Sequence, residues 1–119
     1  MSKKLVKEVK GSFKEQFKTK PLIVFSPGRI NLIGEHTDYN DGFAFPAAIN
    51  KGIALAISKS ELSVSRAYAL NNEELYEFNI ENPKPLEDGG WRNYVIGVVA
   101  ELQKLGKEVG NFNSVFAGN

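Results

Sequence analysis

Cysteine is absent from these 119 residues. No disulfide and no thiolate metal site can form, so stability must come from packing alone. A dominant charge is also lacking. Fifteen Lys and Arg stand against 14 Asp and Glu, a formal net charge of +1, which argues against a nucleic acid or an anionic membrane as the main partner. No apolar run approaches the roughly 20 residues that span a bilayer. The N-terminus shows no continuous apolar segment of the secretory type, and a cytoplasmic location is the expectation. Internal repeats and low-complexity tracts are missing too. At 42% hydrophobic and 24% charged, the composition is that of a soluble globular protein. The length suits a single domain, 1–119, with a modest core.

What is present reads as an α+β domain. Leu5, Val9, Phe13 and Phe17 recur every fourth residue and predict an amphipathic helix from about Ser2 to Phe17. The early lysines (Lys3, Lys4, Lys7, Lys10, Lys14, Lys18, Lys20) form its wet face rather than a binding arm. After Pro21, Leu22 to Phe25 reads as a short buried strand, followed by a loop over Ser26–Tyr39. Further strands are expected at Phe43–Ile49, where Pro46 marks an edge or bulge, and at Ile53–Ile57, where large residues alternate with alanines. Leu62–Tyr68 and Tyr76–Ile80 flank a turn at Asn71-Asn72. Glu81 to Gly90 is a loop. A second helix starts at Trp91, carries Tyr94, Val95, Val98, Leu102 and Leu105, and closes at Gly106. A last strand lies around Val115-Phe116. Two helices on four or five mostly antiparallel strands follow.

The chemistry concentrates between Ser26 and Tyr39. Arg29, Glu35, His36 and Asp38 put four ionisable groups within ten residues, and His36 is the only histidine. Acid, base, cation and turn-forming glycine together suit a loop that wraps a small, hydroxyl-rich ligand. Structural roles compete with that. Arg29 could pair with Glu35, His36 could bond to backbone, and Asp38 could cap the turn at Asn40-Asp41-Gly42. Asn31 suits a backbone-bonding turn residue.

The order of residues decides the weighting. Pro27-Gly28-Arg29-Ile30-Asn31-Leu32-Ile33-Gly34-Glu35-His36-Thr37-Asp38-Tyr39 resembles the galactokinase signature, and Gly42 to Ile49 its usual continuation. Trp91-Arg92-Asn93-Tyr94-Val95-Ile96-Gly97 is similar to the Trp-x-x-Tyr-x-x-Gly helix of the same family. The resemblance implies the N-terminal part of the GHMP small-molecule kinase fold. It implies that Glu35, His36 and Asp38 hold galactose hydroxyls, and that Arg29 stabilises the transition state near the anomeric oxygen. Trp91 would border the nucleotide pocket, although a large aromatic at a helix start also serves as a core anchor. In a complete enzyme ATP, with Mg²⁺, would phosphorylate α-D-galactose to galactose 1-phosphate.

Other parts of the family pattern do not occur here. There is no Gly/Ser-rich phosphate loop and no Walker-type Gly-x-x-x-x-Gly-Lys-Ser/Thr. Neither Asp41 nor Asp88 matches the family's catalytic Asp. The chain therefore reads as a truncated, galactose-recognising portion of a galactokinase-like protein, with no tight ATP or Mg²⁺ binding and no activity of its own expected. The alternatives are a non-catalytic sugar-binding or sensor module, and a kinase portion for a related sugar such as N-acetylgalactosamine or L-arabinose. An open sheet edge would invite self-association or a complementing chain.

Overall fold

The computed structural model describes residues 2–34, 36 and 38–119, with residue 38 by its backbone alone. Helix α1 (Lys3–Phe17) is capped at its start, where the Ser2 hydroxyl accepts a hydrogen bond from the Leu5 amide at 3.2 Å. It ends at Lys18, which takes a left-handed conformation (φ 55°) and returns its amide to the Lys14 carbonyl. Leu5, Val9 and Phe13 form the buried stripe. Gly11 lies on the wet side and costs little there.

Five strands make one sheet: β1 (Leu22–Ile33), β2 (Phe45–Lys59), β3 (Ser65–Ala69), β4 (Glu74–Phe78) and β5 (Phe112–Gly118). Their order is β1-β2-β5-β3-β4. All neighbours are antiparallel except β3 and β5, which run parallel. The path from β3 to β5 passes through β4 and helix α2 (Trp91–Lys104). The α+β architecture read from the sequence is thus the observed one, with a mixed sheet and two helices.

The helices cover opposite faces. Leu5, Val9 and Phe13 of α1 pack on Ala54 and Ala56 of β2 and on Val115 and Ala117 of β5, with Tyr68 of β3 at the margin. Ala67, the neighbour of Tyr68, points to the other side and joins Phe78, Ile80 and Val99 beneath α2. On β2 it is the alanine face that meets α1, while Ile53 stays half exposed. Small side chains let the helix approach closely, so Phe13 can fill the space between them.

Elements β1, β2 and α2 differ from the sequence expectation. The two strands expected at 43–49 and 53–57 are one continuous strand, β2, which begins at Phe45, and 26–33 is an extension of β1 rather than a loop. Antiparallel pairing between them overrides the local turn signals of Pro27, Gly28 and Pro46. On α2, only Trp91 and Val95 of the expected apolar pattern turn inward, joined by Ile96 and Val99. Tyr94, Val98 and Leu105 are exposed. The aromatic docking of Trp91 on the sheet sets this rotation.

Polar groups fix the parallel β3–β5 register. The Ser65 hydroxyl donates to Asn111 Oδ1 (3.0 Å) and accepts from the Phe112 amide (3.1 Å). Arg66 Nε donates to Asn113 Oδ1 at 2.9 Å, and its guanidinium lies 4.7 Å above the Phe17 ring. Because Phe13 is fully buried at the centre of the α1 cluster, Phe13→Ala is expected to lower stability by about 3–5 kcal/mol. Urea denaturation checks this: the midpoint should fall with an unchanged slope.

Candidate functional site

The pairing of β5 with β2 runs from Lys59 back to Ile53 and stops at Gly118. The pairing of β1 with β2 continues to Ile33 and Phe45. Beyond Gly52 the two strands therefore leave the sheet as a two-stranded arm. Gly52 sits at the joint. It faces Pro27 across the ladder. On its other side its amide donates to Asn119 Oδ1 at 2.9 Å, and its carbonyl accepts the Asn119 amide at 3.2 Å. A methyl group added at Gly52 would collide with the Ser26 carbonyl oxygen and lie 2.8 Å from Pro27 Cα. Glycine is required here by the close approach of two backbones.

Along the arm the register shifts twice, between Pro27 and Arg29 and between Asn31 and Ile33. Such bulges bend a ribbon and re-aim its side chains. Arg29 pairs with Ala48 and is exposed. Asn31 faces Pro46, so it is a strand residue and not the turn residue expected. Pro46 is tolerated because β5 does not reach that part of β2.

At the tip, Gly34 adopts φ 96° and a short 3₁₀ turn spans Asp38–Asn40. His36 precedes this turn. Its Nδ1 lies 2.7 Å from the Tyr39 hydroxyl, and the Asn40 side-chain amide donates to its carbonyl at 2.8 Å. Glu35 lies outside the described residues, as does the side chain of Asp38. The structure thus carries Arg29, His36 and the backbone of Asp38 on one arm. Among the described residues, Arg29 makes no ion pair, and no group of three or more His, Asp and Glu is placed to hold a metal ion.

Arg29 and His36 are both exposed. The clefts lined by Lys7, Ser12 and Tyr68 and by Leu22, Ile57 and Phe112 lie along the α1 flank and at the far end of the sheet. These two side chains are therefore not enclosed, whereas small-molecule pockets enclose their ligand.

Trp91 lies elsewhere. It opens α2, half-buried, with its ring edge-on to Phe116 (5.3 Å between centroids) and to Tyr76 (6.4 Å). Its Nε1 donates to Glu74 Oε2 at 2.9 Å, and Arg92 reaches the same oxygen at 3.3 Å. This is the geometry of an anchor between α2 and the β4–β5 side of the sheet. Glu74 and Tyr39 carry polar contacts that sequence reasoning passed over. Tyr39 could have been found from its spacing, since a residue three positions on shares one side of a helical turn. Glu74 could not, because its partners lie 17 and 18 residues away.

Comparison with known proteins finds matches over the arm and well beyond it. Residues 11–59 match the sequence pattern described as the galactokinase galactose-binding signature. The chain is 52% identical over 81 residues to a galactokinase of Actinobacillus pleuropneumoniae, an overlap of 68% of this chain and 21% of that protein. It is 42% identical over 104 residues to a galactokinase of Clostridium perfringens, covering 85% of this chain and 27% of that protein. The chain therefore spans about a fifth to a quarter of the length of these relatives. Among solved structures, a Lactococcus lactis galactokinase complexed with galactose superposes with a TM-score of 0.83 at 35% identity, over 92% of this chain and 29% of that one. A Methanococcus jannaschii mevalonate kinase shares the fold, with a TM-score of 0.65 at 16% identity over 85% of this chain and 33% of that one.

The joint of the arm can be tested directly. Gly52→Ala should destabilise the chain by about 1–3 kcal/mol through overpacking. Amide exchange should quicken over residues 45–52 more than over β5. Equal protection of the arm in both proteins would show that the joint tolerates a side chain.

Proposed function

We propose that the chain belongs to the galactokinase family, within the GHMP kinase superfamily, as the counterpart of the N-terminal portion of its members, and that its arm is the galactose-recognition element of one domain, 1–119. The observation that carries the proposal is that the arm holding Arg29 and His36 falls inside the galactose-binding signature, residues 11–59.

The residue chemistry supports it. Ionised Glu35 and Asp38 can accept hydrogen bonds from sugar hydroxyls, and His36 can offer a ring nitrogen to another. A misplaced hydroxyl would leave a carboxylate unpaired, which is the physical basis for separating epimers. The planar guanidinium of Arg29 suits charge developing beside the anomeric oxygen.

The residues present do not fit ATP or Mg²⁺. The sequence has no phosphate loop, and the described residues hold no metal-binding cluster. In a complete enzyme converting galactose to galactose 1-phosphate, those groups would be bound by other segments. Trp91 is the one nucleotide-facing candidate carried by this chain, and its anchoring contacts leave that role secondary. The outer edges of β1 and β4 have no partner strand among the described residues, and a second copy or a completing segment would pair there.

Calorimetry with galactose and glucose tests recognition. Weak galactose binding is expected, with glucose at least roughly ten-fold weaker. Equal binding of both sugars, or silence with both, would refute the proposal. With ATP, Mg²⁺ and galactose supplied, the purified chain should release no ADP beyond background, and sustained turnover would show that the missing phosphate-binding parts are dispensable.

A further inference from the structure

An exposed imidazole ordinarily samples several rotamers and both neutral tautomers. His36 is exposed, yet the turn that follows holds it at two points. The Asn40 side chain fixes its carbonyl. The Tyr39 hydroxyl lies 2.7 Å from Nδ1, with the two rings edge-on at 76° and 6.1 Å between centroids. A separation of 2.7 Å matches an O–H donor better than an N–H donor, whose contacts centre near 2.9–3.0 Å. The direction of this bond follows the tautomer: where the hydroxyl donates to the Nδ1 lone pair, the ring hydrogen resides on Nε2.

We propose that Tyr39 is a positioning residue for His36, locking the imidazole in its Nε2–H tautomer so that the nitrogen left for a ligand is a hydrogen-bond donor. The consequence for the sugar rests on the galactose-recognition role proposed above. Carboxylates at Glu35 and Asp38 can only accept. A sugar hydroxyl that gives its hydrogen to a carboxylate still has lone pairs, and these need a donor. An Nε2–H held in place supplies one without the entropy cost of ordering the ring on binding. The opposite tautomer would present a third acceptor to the same hydroxyls and leave their lone pairs unused.

The protein has one histidine, so its two imidazole nitrogens can be observed without assignment ambiguity. Nitrogen-15 NMR of the intact chain, at a pH above the imidazole titration, should show two widely separated signals with the hydrogen on Nε2. In Tyr39→Phe, which keeps the ring and loses the hydroxyl, the signals should move toward each other as the tautomers mix. Unchanged signals in Tyr39→Phe, or a hydrogen on Nδ1 in the parent chain, would overturn the proposal.

Galactose calorimetry supplies the second arm. Tyr39→Phe should weaken binding roughly three- to ten-fold, the scale of one hydrogen bond. It should cause no further loss in a His36→Ala background. An equal loss in that background would show that Tyr39 acts independently of His36 and would overturn the positioning role. If the parent chain binds no galactose, the recognition role fails, and the nitrogen signals alone decide whether Tyr39 sets the tautomer.

Discussion

A single strand serves two purposes in this molecule, and the joint between them constrains everything else. The second half of β2 is part of the core, pressed by α1 through Ala54 and Ala56. Its first half, beyond Gly52, is one side of the arm that carries Arg29 and leads to His36. At the joint, β1 and the end of β5 both approach Gly52, one through Pro27 and the other through Asn119. A hydrogen atom is the only side chain that fits between the Ser26 carbonyl and this backbone. The direction in which the arm leaves the sheet, and so the placement of Arg29 and His36, is set by that close contact.

The core that supports the joint is small and two-sided. One face of the sheet is closed by Leu5, Val9 and Phe13, the other by α2 with Trp91 as its anchor. Apolar groups remain outside both clusters. Tyr94, Val98 and Leu105 line the outer side of α2, while Ile33 and Phe45 stand on the arm. In the relatives the matched segment makes up about a fifth to a quarter of the length.

Most of the secondary structure was legible because local signals and tertiary demands coincide. The four-residue recurrence of Leu5, Val9 and Phe13 and the turn between β3 and β4 each need only neighbours in sequence. The arm was misread for the opposite reason. Pro27, Gly28 and Pro46 are turn residues by local preference, yet they lie in strands because pairing across the hairpin satisfies their neighbours and the bulges absorb the mismatch. The rotation of α2 was also beyond local reach. Both of its sides carry apolar residues, and only the fit of Trp91 between Tyr76 and Phe116 selects which one turns inward.

The sequence by itself determined the family resemblance, the α+β class and the identity of the groups available at the tip, since a dense run of Arg, Glu, His and Asp among glycines is a chemical statement that needs no coordinates. Only the tertiary structure decided that Arg29 rides on a strand and that the hairpin leaves the sheet at Gly52. Those facts depend on register and on backbones meeting across long stretches of chain. Such contacts arise from the simultaneous packing of many residues, and no local preference of the chain encodes them.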